Sequence, residues 1–507
     1  MTAEKSEKDS RPARVRFAPS PTGLTHMGSA RTALYNYLLA RQTGGQFIFR
    51  LEDTDQKRFD PSAEQDLMDS LRWLGLEWDE GPDKGGPSGP YRQTLRKAIY
   101  REYAEKLIGT GHAFYCFCTR EELSQEREEQ QKRKEQPRYA GTCRDLSLEQ
   151  AQRRVDAGEE HVIRFKMPKE GSITITDRIR GDIVFENKNL DDYILVKSDG
   201  LALYHLAAMV DDHLMGITHV FRGEEWIPTF PLHVHIYRAF GWEEPDWVHL
   251  SLFLKPSGKG KMSKRDSEEM KLSSQSIFIK DMKELGYLPE GVINWIVLMG
   301  WSFDGETEFF TLDDLVEKFS IDKLGPSNAA IDFKKFDHFN GLHIRHLSIE
   351  DLASRLEPYF QSAGFDVSLE DILPVVPIIR ERMTTLDEGP VMAGFFFRED
   401  VMPDIEDLVA KDLTAGESLA AAQRTLEILE GLDEISHELA EPPMRALADE
   451  LGLKAGQLFG ILRAAVTGQK VSPPLFESME IIGRDLVIDR LRQGIGMLEN
   501  LAAKNNI

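Results

Sequence analysis

Apolar and polar positions divide this chain into two differently patterned halves. Near the start, Arg14–Phe17 is a short β-prone run that meets a Pro/Gly turn at 19–23. Past Gly28, apolar residues at helical spacing (Ala30, Ala33, Leu34, Tyr37, Leu38) predict a helix opening at Met27. Residues 46–52 (QFIFRLE) read as a near-continuous buried strand. This β-α-β alternation predicts a parallel, Rossmann-like sheet, whose ligands sit at the C-terminal ends of the strands. Ser20 and Glu52 each fall at or just past a strand end, so both face one crevice. Residues 60–76 predict a helix with Pro61 early and Leu67, Leu71 and Leu74 on one face. A Gly/Pro-dense loop at 81–90 follows, and helix returns from Tyr91.

From about His112 to Leu190 the pattern changes to polar helix, short strands and charge runs, which reads as an α+β domain inserted into the sheet domain. Within it, 121–138 is almost wholly polar and reads as a solvated helix, with a basic arm touching RNA as the alternative. The sheet is expected to resume near Tyr193, with 210–213 and 219–224 supplying further strand ends. A helix over 228–240 follows, and 249–254 leads into a basic loop. Residues 278–300 and 312–319 read as helical, and from about Leu347 amphipathic helices take over, clearest at 417–429. The expected architecture is α/β: a Rossmann-like parallel-sheet domain with an inserted α+β domain, then an all-α half. The boundaries read as a disordered tail at 1–12, sheet domain at 13–100 and 191–255, and insertion at 101–190. A loop-bearing connecting region covers 256–340, and a helical region covers 341–507, itself divided near 395.

At 507 residues the chain exceeds one core, and roughly two to four domains are expected. Its 41% hydrophobic and 29% charged residues are those of an ordinary soluble protein. A net charge of −23 excludes nucleic-acid binding through a globally basic surface, though not through local basic patches. Residues 1–10 are polar and carry Glu4, Glu7 and Asp9, unlike a targeting peptide, and no apolar run reaches the roughly eighteen residues of a membrane span. With three cysteines, a reducing cytoplasm is the expected compartment.

The chemistry concentrates in two stretches. At 14–31 (RVRFAPSPTGLTHMGSAR), strand, turn and helix mouth form a place where backbone N–H groups and the helix dipole receive phosphate. Neither the Gly-Lys-Ser/Thr ending of a P-loop nor the Gly-x-Gly-x-x-Gly of a dinucleotide fold is present, so His26 and Gly28 stand where a side-chain donor and a close backbone approach are needed. At 255–265 (KPSGKGKMSKR), lysines and an arginine among glycines and serines suit a loop that closes over a polyphosphate.

His26-Met27-Gly28-Ser29 resembles the HIGH signature of class I aminoacyl-tRNA synthetases, and Lys261-Met262-Ser263-Lys264-Arg265 resembles their KMSKS signature. The words RFAPSPTG, RLEDTD (from Arg50), YHLA (from Tyr204) and VDDH (from Val210) are similar to those of the glutamyl-tRNA synthetase family, a likeness running from Arg14 to the C-terminus. The resemblance implies that glutamate attacks the α-phosphate of ATP and that the terminal adenosine of tRNA-Glu then takes the acyl group. Mg²⁺ accompanies ATP, and the chain is expected to act as a monomer. His26, Gly28, Ser29, Lys261, Met262, Ser263, Lys264 and Arg265 are implied to bind ATP, with His26, Gly28, Lys261 and Lys264 as the catalytic set. For glutamate, Arg16 and Arg222 are implied for the carboxylates, Tyr204 for a hydroxyl, and Glu52, Ser20 and the Ala18 backbone for the ammonium. Arg265 stands where the wider class carries serine, and Ala208 where some relatives carry asparagine.

Cys116, Cys118 and Cys143, with Tyr139 and Asp145, lie where some relatives hold a structural zinc through a third cysteine and a histidine. Asp145 occupies the histidine's place, so zinc and three free thiols both stand as readings. In the helical half, 380–382 and 458–468 resemble the α-helical anticodon cage of bacterial-type enzymes, with Arg382 the candidate reader of an anticodon base. Rival readings are an enzyme that also charges tRNA-Gln, a tRNA-independent nucleotidyltransferase, and an inactive tRNA-binding paralogue.

Overall fold

A computed structural model describes residues 11–260, 262 and 275–505. Residues 1–10 of the expected tail, and Lys261, Ser263, Lys264 and Arg265 of the basic loop, lie outside the described residues.

Strand β1 (Arg14–Phe17), helix α1 (Met27–Thr43) and strand β2 (Gln46–Phe49) build the expected β-α-β unit. The strands pair in parallel from Arg14↔Gln46 to Phe17↔Phe49 and bury Val15, Phe17, Phe47, Ile48 and Phe49. Helix α1 packs Ala30, Ala33, Leu34 and Leu38 inward. It ends at Gly44, and the following Gly45 runs so close to β1 that a Cβ there would fall 1.9 Å from the Ala13 carbonyl oxygen. Only glycine passes that edge.

In the insertion, β3 (Ala113–Cys116), β4 (Val162–Phe165) and β7 (Ile194–Val196) form an antiparallel sheet in the order β3-β4-β7. The strand near Tyr193 therefore closes the insertion's sheet and does not resume the parallel one. Between them, β5 (Ser172–Asp177) and β6 (Gly181–Glu186) form a hairpin in which β5 alternates buried and exposed residues. The polar helix Arg120–Lys132 opens on a Thr119–Glu122 capping box and buries only Gln130. It stops short of the expected 138 because Lys134 takes φ 59°.

Strands β8 (His219–Gly223) and β9 (Asp246–Leu250) are a second parallel pair. The edge of the hairpin joins it at Asp177↔Trp247, giving the order β6-β5-β9-β8. Arg14 N–H donates to Thr218 Oγ1 and Thr218 N–H to the Arg14 carbonyl, at 2.9 and 2.8 Å, tying β1 to the start of β8. Residues 210–213, expected at a strand end, lie instead inside the helix Tyr204–Leu214. Leu206, Ala207 and Val210 bury at helical spacing, and the two aspartates that gave the run its strand-end look are themselves buried. Short strands β10 (Phe253–Leu254) and β11 (Ala329–Ala330) pair in parallel beside the basic loop.

Two compact units result, Met1–Met282 with Val292–Phe333, and Lys283–Gly291 with Lys334–Ile507. The second is helical and carries two cores. One gathers Leu288 with residues 344–393, and the other gathers residues 408–498. Among the described residues no helix is long and apolar enough to cross a membrane.

Candidate active site

A cleft of about 650 Å³ opens at the C-terminal ends of β1, β2 and β8 in the first unit. Arg16, Ala18, Ser20, His26, Gly28, Ser29, Glu52, Tyr204, Arg222 and Met262 all line it. Five elements supply all but Met262: β1 and its turn, the mouth of α1, the chain leaving β2, the Tyr204 helix, and β8; Met262 comes from the chain beyond β10.

At the phosphate-binding end, His26 caps α1 by accepting the Gly28 N–H on Nδ1 at 2.9 Å. Accepting there places the ring proton on Nε2, so that nitrogen is a donor. A Cβ on Gly28 would stand 3.3 Å from His26 Nδ1, so glycine keeps both the cap and the cleft wall open. Met262, buried in the wall, donates its N–H to the Phe253 carbonyl at 3.1 Å.

The floor of the cleft is a buried charge network. Arg16 is forked on Asp212, Nε to Oδ1 at 3.0 Å and Nη2 to Oδ2 at 3.2 Å, and also donates from Nη1 to the Phe221 carbonyl. Arg50 Nη1 reaches the same Asp212 at 2.7 Å, and its Nη2 lies 3.2 Å from Glu52. Burial opposes the charge on Asp212, but Arg16 and Arg50 outweigh it and hold that carboxyl below its usual range. For Glu52 burial wins over Arg50, and the carboxyl is pushed up to about 7. The neighbouring Asp211 shares Arg50, whose Nε lies 3.8 Å away, and accepts from Arg96 Nε at 2.6 Å and the Tyr100 hydroxyl at 2.7 Å.

Arg222 differs from Arg16. Its Nε donates to His249 Nε2 and its Nη1 to His233 Nδ1, both at 2.9 Å, while Nη2 is buried with no partner. Among the described residues no carboxylate pairs with it, and burial lowers its pKa. Burial likewise raises the Tyr204 hydroxyl. Tyr204 stacks on Trp226 with centroids 4.0 Å apart.

Trp226 lines the cleft and is absent from the sequence-based set, as is Arg31. Arg31 stacks 3.9 Å over Phe253 and donates to the Met299 carbonyl at 2.9 Å. Trp226 had a signal, since it follows Arg222 by four residues in the word RGEEW. Ala208 is wholly buried in a hydrophobic core and does not line the cleft.

In the insertion the Sγ atoms of Cys116, Cys118 and Cys143 lie within 4.8 Å of one another. Cys118 and Cys143 are 3.6 Å apart, and the Tyr139 hydroxyl is 3.4 Å from Cys116 and 3.8 Å from Cys118. Asp145 stands outside this group, exposed and 3.7 Å from Lys166, which corrects the expected five-residue set to three thiols and a phenol. In the second unit, Arg382 and Arg463 both donate to the Ser472 carbonyl, at 2.6 and 3.3 Å.

The chain matches the family model for the catalytic domain of class I tRNA synthetases (E and Q) over residues 12–338, and an anticodon-binding domain model over 351–495. It is 44% identical over 493 residues to the glutamate–tRNA ligase of Dehalococcoides mccartyi (strain 195), covering 96% of this chain and 99% of that protein. It is 42% identical over 493 residues to that of Pseudomonas putida (strain F1), covering 97% of each. Among solved structures, a glutamate tRNA ligase from Elizabethkingia meningosepticum, in complex with its amino acid, superposes with a TM-score of 0.87 at 36% identity. That match covers 96% of this chain and all of the other. A cleft built from these words, on a fold matched end to end, makes this chain a member of the glutamate–tRNA ligase family of class I aminoacyl-tRNA synthetases.

Proposed function

We propose that the cleft joins L-glutamate to ATP and passes the glutamyl group to the 3′-terminal adenosine of tRNA-Glu. The observation that carries the reading is Arg222, a cation buried in the cleft wall beside the Tyr204 hydroxyl, with its Nη2 in no hydrogen bond and, among the described residues, no carboxylate paired with it. A substrate carboxylate supplies the missing charge, and a planar guanidinium matches it edge to edge. Arg16, whose fork is already on Asp212, has one N–H left on each terminal nitrogen for a second carboxylate contact. Glu52 takes the ammonium with Ser20 and the Ala18 backbone, and Tyr204 contributes its hydroxyl.

His26, Gly28 and Ser29, at the positive end of α1, take the ATP phosphates. Met262 backs the loop whose Lys261, Ser263, Lys264 and Arg265 complete the nucleotide site, and the two lysines meet the charge that grows on departing pyrophosphate. The glutamate α-carboxylate attacks the α-phosphorus in line and pyrophosphate leaves. The adenosine hydroxyl then attacks the acyl carbon and AMP leaves. Both steps need positioning and charge stabilisation more than a nucleophilic side chain. ATP is the family's substrate, and the magnesium ion that travels with it is held chiefly by the nucleotide's own phosphates.

The thiol group fits a structural zinc. Zn–S bonds of about 2.3 Å set tetrahedral edges at about 3.8 Å, and the 3.6 Å between Cys118 and Cys143 is close to that. Cys116, Cys118 and Cys143 would hold the ion with Tyr139 as fourth donor, pinning β3 to the loop before residue 147. The insertion, 101–190, would receive the acceptor end, and Arg382 an anticodon base. Of the domain limits at 13–100 with 191–255, at 256–340, and at 341–507 divided near 395, the break near 340 is supported by family matches that end at 338 and begin at 351, and the division near 395 by the two helical cores. The strand 194–196, paired in the insertion's sheet, moves the limit at 190 a few residues on. The chain is expected to act as a monomer, and a tRNA partner supports a cytoplasmic location.

Charging of separate tRNA-Glu and tRNA-Gln transcripts with labelled glutamate tests this, with Lys264→Ala as control. Charging of tRNA-Glu alone, lost in the variant, is the expected result. Charging of both makes the enzyme non-discriminating, and charging of neither by folded protein overturns the catalytic reading.

A further inference from the structure

Two of the cleft arginines are held in opposite ways. Arg16 is forked on a carboxylate, whereas Arg222 is held by two imidazoles. Because a guanidinium only donates, His249 Nε2 and His233 Nδ1 must each present a lone pair. The remaining protons then follow. His249 donates from Nδ1 to Asp177 Oδ2 at 2.7 Å, and His233 donates from Nε2 to His205 Nδ1 at 2.9 Å. Asp177 is itself fixed by backbone N–H groups, those of His249 on Oδ2 and of Ile179 and Arg180 on Oδ1, each at 3.0 Å. Trp247 and Phe230 flank the guanidinium at 5.0 and 5.5 Å. His233 and His249 are wholly buried and do not line the cleft, so neither touches what binds there.

We propose that His233 and His249 are positioning residues for amino-acid selection: neutral imidazoles that hold the Arg222 guanidinium by two edges while leaving its charge for the substrate's side-chain carboxylate. A carboxylate at either place would orient the guanidinium equally well but would neutralise it before substrate arrived. The amide of glutamine, which brings no charge, would then compete on nearer terms. Burial keeps all three rings neutral, with His249 and His205 lowered to about 4 and His233 lowered well below its usual value. Asp177 sets which nitrogen of His249 accepts, as a carboxylate orients the ring of any imidazole it accepts from.

This rests on the reading of Arg222 as the carboxylate receptor, so the experiment includes Arg222→Leu. The measurements are KM for glutamate, KM for ATP and the preference for glutamate over glutamine, made on the full chain with tRNA. Removing the acceptor, in His233→Leu and His249→Leu, is expected to raise KM for glutamate by about tenfold or more with KM for ATP unchanged. His233→Asn and His249→Gln, which keep a neutral acceptor, should restore it to within about threefold. His233→Asp, which supplies an anion, should lower the preference for glutamate by about tenfold. If the leucine variants retain the parent KM for glutamate, or the aspartate variant the parent preference, the inference is wrong. If Arg222→Leu leaves KM for glutamate unchanged, the receptor reading falls with it. Should the leucine variants fail to fold, the Asn/Asp comparison at 233 decides alone.

Discussion

Arg50 Nη2 stands 3.2 Å from Glu52 Oε1, yet the Glu52 carboxyl is pushed up to about 7, because burial of the acid outweighs the pairing. A raised pKa means that the empty site holds a proton below that pH. The ammonium of glutamate favours the carboxylate, so binding releases the proton and weakens as pH falls through 7. At pH 6 about ten in eleven empty sites are protonated, and KM for glutamate is expected about tenfold above its value at pH 8, with KM for ATP flat. Glu52→Gln should remove the pH dependence and leave KM high throughout. A parent profile that is flat from pH 6 to 8 would rule out Glu52 as the titrating group.

Asp212 joins Arg16 and Arg50 in one buried contact. Removing it strands two cations in the core, so Asp212→Ala should cost about 3–5 kcal/mol of stability by denaturant titration. Arg41→Ala, which breaks a half-exposed pair with Asp79, should cost about 1 kcal/mol or less. Equal losses in the two variants would show that the network carries no special weight.

Metal analysis of purified protein should find about one zinc per chain, lost in Cys143→Ser. Chelation should loosen the region of residues 116–147 and open the thiols to a thiol reagent. Metal-free protein with three reactive thiols and full charging activity would leave the cysteines as ordinary core residues.

Arg382→Ala is expected to lower kcat/KM for tRNA-Glu by about ten- to hundredfold, the scale of one base contact, with KM for ATP and glutamate unchanged. Thermal stability should barely move, since the arginine is exposed and its described bond is to one carbonyl. An unchanged kcat/KM for tRNA would remove Arg382 from the anticodon site.

The sequence made the cleft legible where neighbouring residues share a role. Arg16 to Ser29 is one strand, turn and helix mouth, and Glu52 and Tyr204 mark element ends. What it hid is set by contacts across the fold. Nothing near His249 in the chain announces that it faces Arg222, 27 residues away, or Asp177, 72 residues away. Residues 210–213 were misread as a strand end because two acids after an apolar run suit one. Only the buried arginines, far off in sequence, explain acids on the inner side of a helix. The strand near Tyr193 was assigned to the wrong sheet for a related reason, since a three-residue strand carries no register of its own.

Asp211 and Asp212 also impose an order on synthesis. Arg96 lies 115 residues before Asp211, and Arg50 and Arg16 lie 162 and 196 residues before Asp212. As the chain leaves the ribosome, Arg50 has only Glu52 beside it, and all three cations lack their aspartates until the whole insertion has emerged and the 204–214 helix docks. The β-α-β unit that carries the phosphate-binding words thus waits, its arginines hydrated, and the cleft is completed late by one helix that neutralises them together.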